Sequence, residues 1–460
     1  MLNETASSIE DRPALRPSGR TAPSDSSPLH NELRHILMEF MLIERELIAD
    51  ERIAGRENLL MIGPDSRLVA SFEGRLLLDS EEAYERLSAR LAERDHLPLF
   101  REVDGKHIVH LVSGLARPQR RPWWPNAALF AATLFSVLIV GTLIAAGEAL
   151  MDNPILANQI VNDLIPNLWR GLPYAISILL ILGAHELGHY FAGRHHRISV
   201  TLPYFIPAPP FISPIGTFGA FIQLREPIKN RKVLLDVGAA GPLMGLVFAI
   251  PILFIGLATS PVGPLTASGL VEGNSLLYAL MKTIVFGRFL PDATSDVYLN
   301  QLAQAGWTGL LVTALNLIPI GQLDGGHILY SLIGDFARRL YYPLMAGVVA
   351  LVFLFSDAWL FWLILLFLFG RVYATPLDMI TRLDRRRQLI ALLAIFLFIV
   401  TFVPVPFTFR VAETPMPLGR ESADLLLPVA VLLTALWAGR RRFIRPRFHR
   451  ASIADDRRPR

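Results

Sequence analysis

Beyond residue 125 the chain is a succession of long apolar runs parted by short segments that carry arginine or proline. Runs such as "AALFAATLFSVLIVGTLIAAGEAL" reach the roughly 20 residues an α-helix needs to cross the hydrocarbon of a bilayer. With 460 residues, 52% of them hydrophobic and only 18% charged, the sequence predicts a polytopic α-helical membrane protein that meets the lipid bilayer directly and carries a small soluble appendage. The net charge of +4 is small, and the arginines sit beside apolar runs, where they set topology; no nucleic-acid partner is expected. With no cysteine, any metal here must be held by His, Asp or Glu.

Residues 1–30 are rich in Ser, Pro and charge and are expected to be a disordered lead. From 31 to 116 the pattern is that of a cytoplasmic α/β domain. "NELRHILMEFMLIEREL" has apolar positions at helical spacing, and "DSEEAYERLSARLAERD" opens with Asp79 and Glu82 in a capping-box arrangement. Strand-like pieces, "SRLVASFEGRLLL", "LPLFREV" and "KHIVHLV", surround that second helix, the last two joined by a turn at Asp104-Gly105. His107 and His110, three apart on one strand, point to opposite faces and are read as structural or surface residues.

The basic and aromatic collar "RPQRRPWWPN" precedes the first span and puts the soluble domain inside the cell. Further spans are expected at about Leu172 to Ala192, Val233 to Ala258 and Gly306 to Leu323. The stretch Leu340 to Tyr373 is divided in two by "SDAW", and two more spans follow at about Leu389 to Val405 and Ala423 to Ala438. About eight transmembrane helices put every basic cluster on one face, including the tail 441–460, and leave both termini cytoplasmic. Residues 376–440 then hold additional transmembrane helices behind a membrane core at 125–375.

Within the second expected span lies "HELGH". On a helix, residues four apart share a face, so His185 and His189 can grip one tetrahedral ion, and Glu186 is placed to take a proton from water. Such a site needs a third protein ligand at the same depth. His185 stands nine residues, about 13 Å of helix, before the basic edge at Arg194. In "ALNLIPIGQLDGGH", Asp324 stands fourteen residues before Arg338, ahead of two glycines that would loosen the helix. A lone carboxylate there would be an unpaired charge in the membrane, which makes Asp324 the first choice and His327, nearer the surface, the second. His195 and His196 are read as interfacial. Asn316, about two turns from Asp324, would orient substrate or bond to a neighbouring helix, while Asp236 and Glu148 are read as charges near the two membrane edges.

"HELGH" followed in a later span by "NLIPIGQLDGG" resembles the site-2 protease family of intramembrane zinc metalloproteases, peptidase family M50, over roughly residues 125 to 375. The resemblance implies one Zn2+ held by His185, His189 and Asp324, Glu186 as general base, and a transmembrane protein as substrate, cut by regulated intramembrane proteolysis. It also gives a role to "TLPYFIPAPPFISPIGTFGAFIQLREP", too rich in Pro and Gly for a helix. This stretch could form a membrane-dipping hairpin between the second and third spans, whose edge strand at Gly216 to Leu224, with Gly216, Thr217, Phe218 and Gly219 as substrate-positioning residues, holds substrate extended by β-addition; the alternative is a simple interfacial loop. In the third span, "GAAGPLMG" offers small residues for close helix packing.

Many bacterial members carry a PDZ domain after the third span, yet only about 43 residues separate the third and fourth spans here. The domain in front and the extra spans behind are closer to the branch of chloroplast members and their bacterial relatives, which suggests a prokaryotic plasma (inner) membrane. The alternative is a metal-binding membrane scaffold or transporter without proteolysis. A transporter would place polar residues along several spans, whereas here the ionisable groups cluster at one depth in two.

Overall fold

The structure is a computed structural model that describes residues 28–47, 66–113, 122–265 and 269–410. The eighth expected span, the basic tail and nearly all of the expected disordered lead lie outside the described residues. The chain divides into two compact units, one of residues 1–117 with 375–382, the other of 118–374 with 383–460.

In the first unit, α1 (Pro28–Met38) is followed by β1 (Met41–Leu47), β2 (Arg67–Leu76), α2 (Ser80–Ala92), β3 (His96–Val103) and β4 (Lys106–Ser113). The strands form an antiparallel sheet in the order β1-β2-β4-β3, with Phe72 and Phe100 both opposite Val109. Helical spacing carried the expected first helix on to Leu47, but Met41–Leu47 is a strand paired with residues 71–76 of β2. The seven residues "MLIEREL" are too few to separate the two periods, and sheet pairing decides between them. Asp79 caps α2 by accepting from the Glu81 N–H at 3.0 Å, and the turn Asp104-Gly105 has both residues at positive φ, as a two-residue hairpin requires.

One side of this sheet is closed by residues from far along the chain. The Phe100 N–H donates to the Leu377 carbonyl and the Met379 N–H to the Phe100 carbonyl, at 2.9 and 3.1 Å. Arg101 donates to the carbonyls of Pro376 and Leu377, the Ser80 and Thr381 hydroxyls lie 2.8 Å apart, and Leu377 joins the core of Leu37, Phe72, Leu87 and Leu99.

The second unit contains α3 (Trp124–Asp152), α4 (Pro154–Asn162), α5 (Leu172–His195), the hairpin β5 (Tyr204–Pro207) and β6 (Thr217–Phe221), and α6 (Arg231–Ala258). A segment of small elements follows, with β7 (Val262–Pro264), β8 (Gly269–Glu272), α7 (Leu276–Phe286) and β9 (Ser295–Val297). The unit ends in α8 (Gln301–Asn316), α9 (Asp324–Ile333), α10 (Phe336–Leu354), α11 (Trp359–Phe369), α12 (Arg385–Thr401) and β10 (Phe407–Arg410). Among the described residues four helical stretches are long and apolar enough to cross a membrane: α3, α5 with the short turn before it, α6 and α10.

The expected fourth span differs in a way that matters for the site. The helix stops at Asn316 instead of running to Leu323, because Pro319 interrupts the ladder and Gly321 takes a left-handed φ of +59°. Asp324 therefore opens a new helix, α9. Gly325 and Gly326 do not loosen it; a Cβ on either would lie 2.0 and 2.3 Å from the carbonyls of Leu317 and Gly321, so they let the loop pack directly against the helix.

Candidate metal centre

Helix α5 brings His185, Glu186 and His189 to the interior: they are 4, 5 and 7% exposed, in a helix whose surroundings are otherwise apolar. Helix α6 packs against this face, and small residues make that approach possible. A Cβ on Gly241 would sit 2.1 Å from His189 Nε2, and one on Gly245 would lie 3.3 Å from His185 Cβ. The small-residue stretch of the third expected span thus shapes the space the two rings occupy.

The start of α6 also fixes a proton. His189 Nδ1 lies 2.7 Å from the Val237 carbonyl, which can only accept, so Nδ1 carries the hydrogen and a neutral ring leaves Nε2 with a free lone pair. That Nε2 is 3.2 Å from His185 Nε2, and Asp324 Oδ2 is 3.2 Å from His185 Nε2 and 3.3 Å from His189 Nε2. The three donors form a nearly equilateral triangle. Tetrahedral zinc with bonds of about 2.0–2.1 Å holds its donors roughly 3.3 to 3.4 Å apart, so the residues fit the ion by size as well as by donor type.

A cavity of about 210 Å³ opens on this triangle and is lined by His185, Glu186, His189, Asn316, Asp324 and His327. Glu186 accepts a hydrogen bond from the Ile222 N–H, just past β6. Asn316 Nδ2 lies 3.4 Å from His185 Nε2, which brings the polar residue at the end of α8 to the metal group itself. His327 shares the cavity but is not one of the three grouped donors, and its buried Nδ1 has no hydrogen-bond partner among the described residues.

Residues 204–207 and 217–221 form an antiparallel hairpin, with Tyr204 opposite Phe221. Its residues face differently from expectation. Gly216 (φ +83°) packs against α3, where a Cβ would lie 3.0 Å from Val137 Cα; the Thr217 hydroxyl donates to the Ile206 carbonyl at 2.7 Å; Phe218 is 54% exposed; Gly219 has φ +97°. Of the expected edge strand it is the later part, Ala220, Phe221, Ile222 and Leu224, that lines the cavity.

His195 and His196 lie beyond the metal group, at the end of α5. Asp236, read as an edge charge, is bound by His196 and Arg387, and Glu148 accepts from the Gln301 N–H at 2.6 Å. The Val237 carbonyl, Gly241 and the Ile222 amide carry no side-chain signal and were not legible as site groups.

Residues 173–356 match the family model described as Peptidase family M50. The chain is 30% identical over 358 residues to a probable zinc metalloprotease, EGY2, of Arabidopsis thaliana chloroplasts, covering 75% of this chain and 62% of the relative. Its counterpart from Oryza sativa subsp. indica is 29% identical over 349 residues (74% and 62%), and a probable zinc metalloprotease EGY1 from Oryza sativa subsp. japonica is 31% identical over 250 residues (53% and 42%). The chain thus spans about three fifths of the length of the first of these relatives. No solved structure gives a significant match. Across the matched segment the chain is thus similar to peptidase family M50.

Proposed function

We propose that this protein belongs to peptidase family M50 and is a zinc metalloendopeptidase that hydrolyses a peptide bond in or near a transmembrane segment of a membrane-anchored protein. The observation that carries the reading is the donor triangle of His185, His189 and Asp324, of tetrahedral-zinc size, with Glu186 on the same cavity. Zinc held there would supply a Lewis acid that polarises a carbonyl and acidifies bound water.

The chain's own groups do the rest. The Glu186 carboxylate takes a proton from water in the cavity and returns it to the departing amine, since a base beside the first ligand faces the space where water and peptide meet. The Ile222 N–H orients that carboxylate. Asn316, through Nδ2, is placed to donate to an oxygen of the substrate. The backbone at 220–224 borders the cavity on one side and can take a substrate strand by β-addition, which keeps the peptide extended and open to attack.

The span count of about eight, the cytoplasmic termini and a plasma-membrane location belong to this proposal; the placement of the basic clusters supports the first two. A cytoplasmic product of regulated intramembrane proteolysis follows from that orientation. To test the reading, purified protein would be reconstituted with a single-span helical substrate in vesicles, and cleavage followed with a chelator and after zinc is restored. Cleavage lost on chelation and regained with zinc is expected, with the product on the face that carries the N-terminal domain. Stoichiometric zinc with no cleavage of any helical substrate would favour a metal-binding scaffold or transporter.

A further inference from the structure

A four-residue polar cluster, separate from the metal group, sits where α5 ends and α6 and α12 begin. Arg387 donates from Nε to Asp236 Oδ1 at 2.9 Å and from an η nitrogen to Asp236 Oδ2 at 2.6 Å, a two-point fork. On its other side Arg387 pairs with Asp384, whose Oδ1 also accepts from the Arg387 N–H at 3.0 Å and so caps α12. His196 Nε2 completes the cluster, 2.9 Å from Asp236 Oδ2. The Arg387 and Asp236 side chains are only 28 and 21% exposed.

The residue after Asp236 is Val237, and its carbonyl receives the Nδ1 hydrogen of His189. The position of that carbonyl is set by the first turns of α6. Among the contacts on those turns are the Arg387 fork and an apolar cluster in which Leu235 and Ala239 meet Leu317, Ile328, Leu383, Ala391 and Ala394, while Arg231 donates to the Ser331 carbonyl. Nothing in a metalloprotease motif requires the fork, and α12 follows the family-matched segment 173–356.

We propose that Arg387 and Asp236 are positioning residues of the metal centre: their fork holds the start of α6 so that Val237 keeps His189 oriented with Nε2 toward His185 and Asp324. The inference rests on the zinc reading above and adds the residues that tune it. Groups that orient a metal-binding imidazole typically change metal affinity 10- to 100-fold when removed.

The test is Zn2+ competition against a chromophoric chelator with the full-length protein, alongside thermal unfolding and nuclear magnetic resonance of ring-labelled histidine. Arg387→Gln and Asp236→Asn are expected to weaken zinc binding about tenfold or more and to shift the His189 Nδ1–H signal. Arg387→Lys should recover part of the affinity, since it restores the charge without the fork. Arg386→Gln, an exposed neighbour that removes the same charge, should bind zinc as the wild type does. The proposal is overturned if folded Arg387→Gln and Asp236→Asn bind zinc as tightly as wild type, or if Arg386→Gln weakens binding equally. If the wild type itself fails to bind zinc, the underlying metal reading falls, an outcome distinct from either.

Discussion

Gly241 shapes the metal centre through the side chain it lacks. The space left by that missing side chain is where the His189 ring lies, 2.1 Å from where a Cβ would be. An alanine there meets an imidazole held by a hydrogen bond to Val237, so one of the two must move. Gly241→Ala is expected to remove zinc and cleavage together while leaving the amount of membrane-inserted protein near wild type, checked by elemental analysis and a substrate assay. Retention of full zinc would mean that α5 and α6 are less closely fitted than described. The histidines present the opposite case. His185, Glu186 and His189 announce themselves because three ionisable groups at that spacing are costly in an apolar helix unless they share a ligand, and Asp324 because a membrane carboxylate needs a partner. Gly241 and the Val237 carbonyl leave no such mark, since what makes each necessary is a ring on another helix.

At the level of elements, the sequence period was readable where an element is long and ambiguous where it is short. The helices α3, α5 and α6 follow from runs of apolar residues, whereas Met41–Leu47 carries a pattern that suits helix or strand and is decided by pairing with β2. The break between α8 and α9 was underestimated for a related reason: Pro319 and Gly321 are visible in the sequence, but the depth of the loop they make depends on the close fit of Gly325 and Gly326. The soluble sheet carries a prediction of its own. His110 is buried on β4 with Nδ1 2.8 Å from the Ser71 hydroxyl, and burial, helped by the Arg101 charge, pushes its pKa down from 6.5 to about 3. The unfolded chain then binds the extra proton first, so this stability is complete above about pH 6.5 and is lost as pH falls toward 3, by up to about 1.4 kcal/mol per pH unit. Amide exchange at Phe72 and Val109, corrected for intrinsic rates, should report that loss between pH 6 and 4, and His110→Gln should flatten it. A sheet whose protection is equally steep in His110→Gln owes its acid sensitivity to other groups.

Across the whole molecule, the least legible feature is the return of residues 375–382 to complete the N-terminal unit, with Leu377 in its core and Arg101 on its carbonyls. Nothing local marks "TPLDMITR" as part of a sheet more than 260 residues away, because it is held mostly through its own backbone carbonyls and amides and a generic apolar pocket. The membrane unit is the reverse case: its site draws on α5, α6, α8 and α9, and the two motifs pointed to the meeting of α5 with the α8–α9 turn, though not to α6. That convergence matters only if the four residues act as one catalytic device. The direct measurement is single-span substrate cleavage by Glu186→Gln protein that holds one zinc per chain. Removing a general base while keeping the metal should slow cleavage by about 10² to 10⁴-fold at unchanged zinc content. Cleavage at the wild-type rate by that zinc-loaded variant would contradict the account.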